Sequence, residues 1–389
     1  MKVKPAQRTE SVQEYYFSAK LRQIDQMRRN GADVISLGIG SPDRPPSENT
    51  IERLAVEARK PGVHGYQSYN GSPLLRKALS EWYLKYFGVK LDPENEILPL
   101  MGSKEGIMHI SMAFVNPGDE VLVPNPGYPT YSSVTNLVGG KIRYYDLDEG
   151  NSWHPDLKSL EKTDLSGVKL MWTNYPNMPT GALASKSLFS DLASFSREHS
   201  ILLINDNPYS FILNDNPISI LETEGSKGFV LELNSMSKSH NMAGFRVGMV
   251  AGESTLISYI LKVKSNMDSG MYRPLQLAAV TALSCDKEWY SSLNEEYRKR
   301  RNLVWKIFDA TGSIYDKNQT GMFVWAKIPS TTHSSVEFSD KYLHESNVFI
   351  TPGHIFGSNG EGFARISLCC NEATLSEALK RVGGVKSEE

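Results

Sequence analysis

The chain has 389 residues, room for two domains and a large core, and its 42 basic and 44 acidic side chains leave a formal charge of −2. That balance gives no general attraction for nucleic acid or anionic membrane, so small-molecule partners are expected. Cys285 and the adjacent Cys369 and Cys370 make neither a disulfide framework nor a Cys-x-x-Cys metal spacing, and no apolar run nears the ~18–20 residues of a membrane span. With no signal peptide at the polar N-terminus, a cytoplasmic protein without a metal site or membrane partner is expected.

In chain order, Phe17, Leu21, Ile24 and Met27 recur at helical spacing before Gly31, predicting an amphipathic helix that leads into a short strand over Asp33–Leu37. Ser72 and Pro73 suit an N-cap and first position for a helix closing near Gly88. Short apolar runs follow at Leu98–Met101, Glu120–Val123, Val168–Trp172, Ile201–Ile204, Phe229–Leu233 and Val247–Ala251, separated mainly by helix-like stretches. That alternation predicts an α/β sheet covered on both faces. After Cys285 come a long charged helix, strand-like Met322–Ile328, a helix over Ser335–Glu345, strand-like Phe363–Leu368 and a closing helix, the grammar of a smaller α+β unit. The basic run Arg298 to Arg301 on the long helix is taken as a solvated face.

Several motifs lie where these elements join. Ser235-Met236-Ser237-Lys238 follows a strand, and Arg246 comes eight positions after the lysine. A lone lysine is ordinarily a surface residue, whereas here Lys238 can be a Schiff-base amine with Ser235 and Arg246 clasping a phosphate. Asp206 ends the buried run Ile201–Ile204, where a carboxylate is costly without a cationic partner, and Tyr209 follows it. Gly102-Ser103-Lys104 opens a helix whose free N–H groups favour an anion. Asn174-Tyr175-Pro176-Asn177-Met178-Pro179-Thr180-Gly181 has turn residues, but turn chemistry does not demand two asparagines. Tyr128 can stack on a ring, Tyr66 precedes the loop Asn70-Gly71, and Arg365 offers a planar fork suited to a carboxylate.

Together and in this order, these residues resemble the class I/II aminotransferases of pyridoxal-phosphate fold type I, the group with aspartate, alanine, aromatic and LL-diaminopimelate aminotransferases. The resemblance runs from about residue 30 to 370. It implies an α/β fold: a large α/β/α domain with a mostly parallel seven-stranded sheet over residues 45–285, and a smaller α+β domain from residues 1–44 and 286–389. It implies pyridoxal 5′-phosphate as cofactor, Lys238 as its Schiff-base partner, Asp206 beside the pyridine nitrogen, and Asn177 with Tyr209 on the ring hydroxyl. Gly102, Ser103, Lys104, Ser235, Ser237 and Arg246 would surround the phosphate, and Tyr128 would stack on the ring. Arg365 would hold the substrate carboxylate, helped by Asn177 and by the loop with Ile39 and Gly40, which would close over the substrate. Tyr66 would reach the neighbouring subunit's phosphate, implying a homodimer. The pattern departs from the family at Asn177-Met178 and at Asp206-Asn207-Pro208-Tyr209, and no second side-chain-binding arginine is assignable.

The implied reaction moves an amino group between an L-amino acid and a 2-oxo acid such as 2-oxoglutarate or pyruvate. Lys238 would abstract the α-proton and return it to the cofactor, Asp206 would keep the pyridine nitrogen protonated, and Arg365 would set the Cα–H bond perpendicular to the ring. A carbon–sulfur β-lyase or aminocyclopropane-carboxylate synthase would share these residues. Other classes lack support. The Ser-x-x-Lys spacing at Ser235 has no accompanying Lys-Thr-Gly, Gly38-Ile39-Gly40 lacks the third glycine of a dinucleotide loop, and no Walker loop or His-Glu-x-x-His occurs.

Overall fold

The computed structural model describes residues 3–10 and 16–384. In spatial order the large sheet runs Ile97–Leu100, Gly248–Gly252, Val230–Ser235, Leu202–Asp206, Val168–Thr173, Glu120–Asn125 and Lys141–Asp146. Only Gly248–Gly252 runs antiparallel to its neighbours. The strands are apolar on both faces because helices cover both. Val121, Val123, Leu170, Trp172 and Ile204 meet Ile107, Ile110, Tyr131 and Ile260 on one face. Leu122, Met171 and Leu203 meet Phe189 and Leu192 on the other, where Ile97 and Met249 also pack on Leu79, Trp82 and Tyr83.

The predicted runs at 98, 120, 168, 201, 229 and 247 are all strands of this sheet, displaced by at most a residue or two at their starts. The seventh, Lys141–Asp146, is an edge strand of sequence Lys-Ile-Arg-Tyr-Tyr-Asp with Tyr145 as its one buried residue, so it lacks an apolar run. The helix Pro73–Phe87 has the predicted ends: Ser72 Oγ accepts from Leu75 N, Pro73 is the first residue, and Gly88 closes it in the left-handed region at φ 69°.

The smaller unit is an antiparallel sheet in the order Thr351–Pro352, Phe363–Ser367, Phe323–Lys327, Ile314–Tyr315. The helices Lys287–Ala310, Ser335–Ser346 and Glu372–Gly383 bury Val304, Phe308, Phe338, Tyr342, Leu375 and Val382 in its core. The N-terminal segment joins this unit, since Ile35–Ser36 pairs in parallel with Val348–Phe349. In the helix Tyr16–Arg29, Ile24 is buried and Leu21 and Met27 are half-buried; the Phe17 side chain lies outside the described residues.

The basic run on the long helix needs a correction. Arg298 and Lys299 are exposed, but Arg300 is only 3% exposed. It donates to Asp43 at 2.7 and 3.0 Å, to Glu296 at 2.7 Å and to the Leu368 carbonyl at 3.0 Å. A sequence window of the helix shows only neighbours four residues away, whereas the decisive partner, Asp43, lies 257 residues off. Arg300 thereby fastens the segment after Gly40 to the long helix.

Candidate active site

Parallel strands that all end on one side open a crevice at their carboxyl ends, and a cavity of about 430 Å³ lies there. Asp206 and Ser235 are the last residues of adjacent strands. Lys238 stands one turn later in the short helix Met236–Ser239, begun by Ser235 Oγ accepting from Ser237 N. The helix Ser103–Phe114 presents its first turn to the same cavity.

Asp206 is 5% exposed. Its Oδ2 accepts from the Tyr131 hydroxyl at 2.8 Å, and Tyr131 in turn stacks on Trp172 at 4.9 Å and 6°. Its Oδ1 is buried without a hydrogen-bond partner. Burial pushes the carboxyl up to about 7, against the Tyr131 hydrogen bond. An acceptor left open in a buried position needs a donor, and a cationic N–H is the one that best offsets the desolvation of a carboxylate.

Lys238 donates to the Gly40 carbonyl. Burial holds its ammonium below the usual lysine range, and the charges of Arg365 and Arg246 add to that effect. A lysine so placed yields a neutral amine more readily, as a nucleophile and a base require. Burial raises the Tyr209 phenol well above its ordinary value, so it stays a neutral donor.

Ser103, Lys104, Ser235, Ser237 and Arg246 line the cavity around the helix start, a hydroxyl-rich and basic set suited to an anion. Gly102, the N-cap, has φ 88°, and a Cβ there would overlap the Arg246 guanidinium, so the close approach of loop and arginine depends on glycine. Arg246 itself holds a left-handed backbone at φ 55° and donates to the Ala243 carbonyl at 2.9 Å.

At the other end Arg365 is 4% exposed. It donates to the Gly38 carbonyl at 2.9 Å and to the Met178 sulfur at 3.1 Å. Its guanidinium carbon lies 3.9 Å from the Phe323 ring centre and 4.6 Å from that of Phe356.

The cavity thus gathers Lys238, Asp206, Tyr209, Ser103, Lys104, Tyr128, Ser235, Ser237, Arg246, Arg365, Ile39 and Gly40, with Gly102 directly behind Arg246. Two expected residues are not gathered. Tyr66 is 92% exposed and is absent from the lining. Asn177 needs a correction: its Oδ1 accepts from the Thr180 hydroxyl at 2.7 Å inside the turn, while Asn174 and Met178 line the cavity instead. Asn174 Nδ2 donates to the Asp206 carbonyl oxygen at 2.5 Å and its Oδ1 accepts from Met178 N at 2.8 Å.

Sequence reasoning also missed Tyr131, Phe323 and Phe356, all in the lining. Tyr131 was within reach, since it follows Tyr128 by three residues, one turn of the helix Pro129–Leu137. The two phenylalanines carry no sequence signal that separates cavity wall from core.

A lysine amine, an open carboxylate oxygen, a helix start beside an arginine and a buried guanidinium fork, all on one cavity, are the set that a pyridoxal-phosphate enzyme of fold type I uses. The residues fit that cofactor on the structure's own terms, because the unpartnered Asp206 Oδ1 is the acceptor that a protonated pyridine nitrogen requires. Residues 32–382 match the model of the family described as aminotransferase class I and II, and the chain belongs to that family. The LL-diaminopimelate aminotransferase of Dehalococcoides mccartyi strain BAV1 is 38% identical over 386 residues, covering 99% of each chain. That of Desulforudis audaxviator is 40% identical over 381 residues, covering 97% of each. Among solved structures, apo-BacF from Bacillus subtilis superposes with a TM-score of 0.93 at 36% identity, covering 98% of each chain. The protein is a pyridoxal-phosphate-dependent aminotransferase.

Proposed function

We propose that this enzyme transfers an amino group from an L-amino acid to a 2-oxo acid, with Lys238 as the covalent anchor and the proton carrier. The observation that carries the reading is the placing of Lys238, the open Asp206 Oδ1 and Arg365 on a single cavity. When bound, the cofactor supplies an electron sink for the pair released from Cα.

This chain's residues do the rest. Ser103, Lys104, Ser235, Ser237 and Arg246, with the helix start behind Gly102, would hold the phosphate. Asp206 would accept from the ring nitrogen and keep it protonated, with Tyr131 donating to its other oxygen. Tyr209 would donate to the ring hydroxyl, and Tyr128 would pack at the ring. Arg365 grips the substrate α-carboxylate and so fixes which bond at Cα can break. Lys238, its ammonium destabilised by burial, would take the α-proton at Nζ and hold it for return. Ile39 and Gly40 cover the substrate and exclude water.

Tyr66, exposed on its loop, completes the phosphate site of a partner in a homodimer. A cytoplasmic location fits the reducing setting that the free cysteines suit. Among the described residues no helix is long and apolar enough to cross a membrane.

The test is a donor and acceptor panel on the purified holoenzyme. Donors are chosen to include LL-diaminopimelate, which the relatives' names suggest, and acceptors to include 2-oxoglutarate and pyruvate. Formation of a new amino acid and a 2-oxo acid in equal amounts is expected. Release of ammonia without a new amino acid would instead mark a lyase.

A further inference from the structure

The cavity has two chemically different ends. The residues assigned to the cofactor are polar or aromatic: Lys104, Ser235, Ser237 and Arg246 at the anion end, then Asp206, Tyr131, Tyr209 and Tyr128. Glycines apart, what remains of the lining is the apolar Leu21, Ile39, Met178, Pro208, Ala243, Phe323 and Phe356 and two polar residues, Ser41 and Asn174, of which Asn174 is already engaged with the Asp206 carbonyl and Met178 N. They come from separate parts of the chain. Leu21 lies on the first helix, Ile39 on the segment after the short strand, Met178 in the turn after Asn174, and Phe323 and Phe356 in the smaller unit.

This wall is built closely around the carboxylate grip. Phe323 and Phe356 both pack on the Arg365 guanidinium, and Met178 accepts from it. Gly40 lets Phe323 come forward, because a Cβ there would overlap its ring. Phe323 also meets Tyr209 edge to face at 5.9 Å, so its plane is held on both sides. A substrate whose α-carboxylate rests on Arg365 therefore meets hydrocarbon and thioether beside the grip, from Phe323, Phe356 and Met178.

Among the described residues that line the cavity, Asp206 is the one carboxylate, and it belongs to the cofactor end. A side-chain ammonium placed by the apolar wall would lose water without gaining a counter-ion there. The basic Lys104 follows Ser103 at the opposite, anion end, away from a side-chain carboxylate.

Resting on the proposed roles of Lys238 and Arg365, we infer that the amino acid selected carries a large apolar side chain, aromatic or branched, and that Ile39 and Leu21 set the preference. Ile39 is 45% exposed and Leu21 half-buried, so this rim can be covered further by the substrate itself.

The test follows the cofactor absorbance of the holoenzyme as single donors convert it to its amino form. L-Phenylalanine, L-leucine and L-methionine are compared with L-alanine, L-aspartate and LL-diaminopimelate. The expected kcat/KM for phenylalanine or leucine is at least about tenfold above that for aspartate or LL-diaminopimelate. In Ile39→Ala and Leu21→Ala the phenylalanine-to-alanine ratio should fall about fivefold, as lost apolar contact predicts. Faster conversion of LL-diaminopimelate or aspartate, or an unmoved ratio in both variants, overturns this inference alone. No absorbance change with any donor overturns the reading of the reaction, and this inference with it.

Discussion

Replacing Asp206 by asparagine should make the cofactor-free protein more pH-tolerant while weakening its hold on the cofactor. In the cofactor-free fold the carboxyl has Oδ2 on Tyr131 and Oδ1 open, and burial raises it from 3.8 to about 7. Below pH 3.8 the group is neutral in both folded and unfolded chains and contributes no pH dependence. Between 3.8 and about 7 the unfolded chain releases this proton while the folded chain keeps it, so stability falls as pH rises. Above about 7 the folded carboxylate is charged and the full penalty is present. At ~1.36 kcal/mol per pH unit the gap corresponds to about 4 kcal/mol, an upper value that relaxation and water entry reduce.

Asparagine has no such titration. The assay is urea unfolding of cofactor-free wild type and Asp206→Asn at pH 5 and pH 8. The stability difference between them should move in the variant's favour by about 1–3 kcal/mol on going from pH 5 to pH 8, because only the part of the window above pH 5 contributes. Glu232, also raised to about 7 by burial, is common to both proteins and cancels in the comparison. Adding pyridoxal phosphate should reverse the order at pH 8, because the wild-type carboxylate then faces a cation and the amide does not. A difference independent of pH would refute the burial argument, and equal cofactor affinity would refute the assignment of Oδ1 to the ring nitrogen.

Lys238→Ala should abolish turnover yet still bind the cofactor, and borohydride followed by mass spectrometry should find no cofactor fixed to the chain. Arg365→Lys keeps the charge but not the fork that reaches Gly38 and Met178; kcat/KM for amino acids should fall about tenfold to a hundredfold, read by the half-reaction rate. Arg300→Met should lower stability by about 1–2 kcal/mol in urea unfolding, because Asp43 and Glu296 stay partly open to water, and should raise KM by loosening the segment that carries Gly40. Tyr66→Phe should speed cofactor loss on dilution, and sedimentation should give a dimer for variant and wild type alike.

How far the sequence revealed this site depended on whether each residue's partners were local. Ser72, Pro73 and Gly88 set the ends of one helix because capping involves neighbours within a turn. The buried strands were legible because coverage on both faces forces uninterrupted apolar runs, whereas the edge strand Lys141–Asp146 escapes that demand. Asp206, Lys238 and Arg246 fall at strand ends and turns, where chain order already suggests a common crevice. The turn after Thr173 was different. Two asparagines stand three residues apart, and only the folded turn decides that Asn177 serves Thr180 while Asn174 and Met178 face the cavity.

The unread part was the wall that receives the side chain, and the reason is topological. The cofactor end is assembled from consecutive strand ends of one sheet, so its residues keep a fixed order along the chain. The apolar wall brings together residues 21, 39, 178, 323 and 356, from both units and both ends of the sequence. Leu, Ile, Met and Phe serve equally in a core, and apart from this cavity nothing distinguishes Phe356 from the Trp325 it packs against. Chemistry at Cα is therefore written in local motifs, and the choice of side chain in long-range packing. Two enzymes that share every motif around Lys238 can differ in substrate through substitutions in the wall alone.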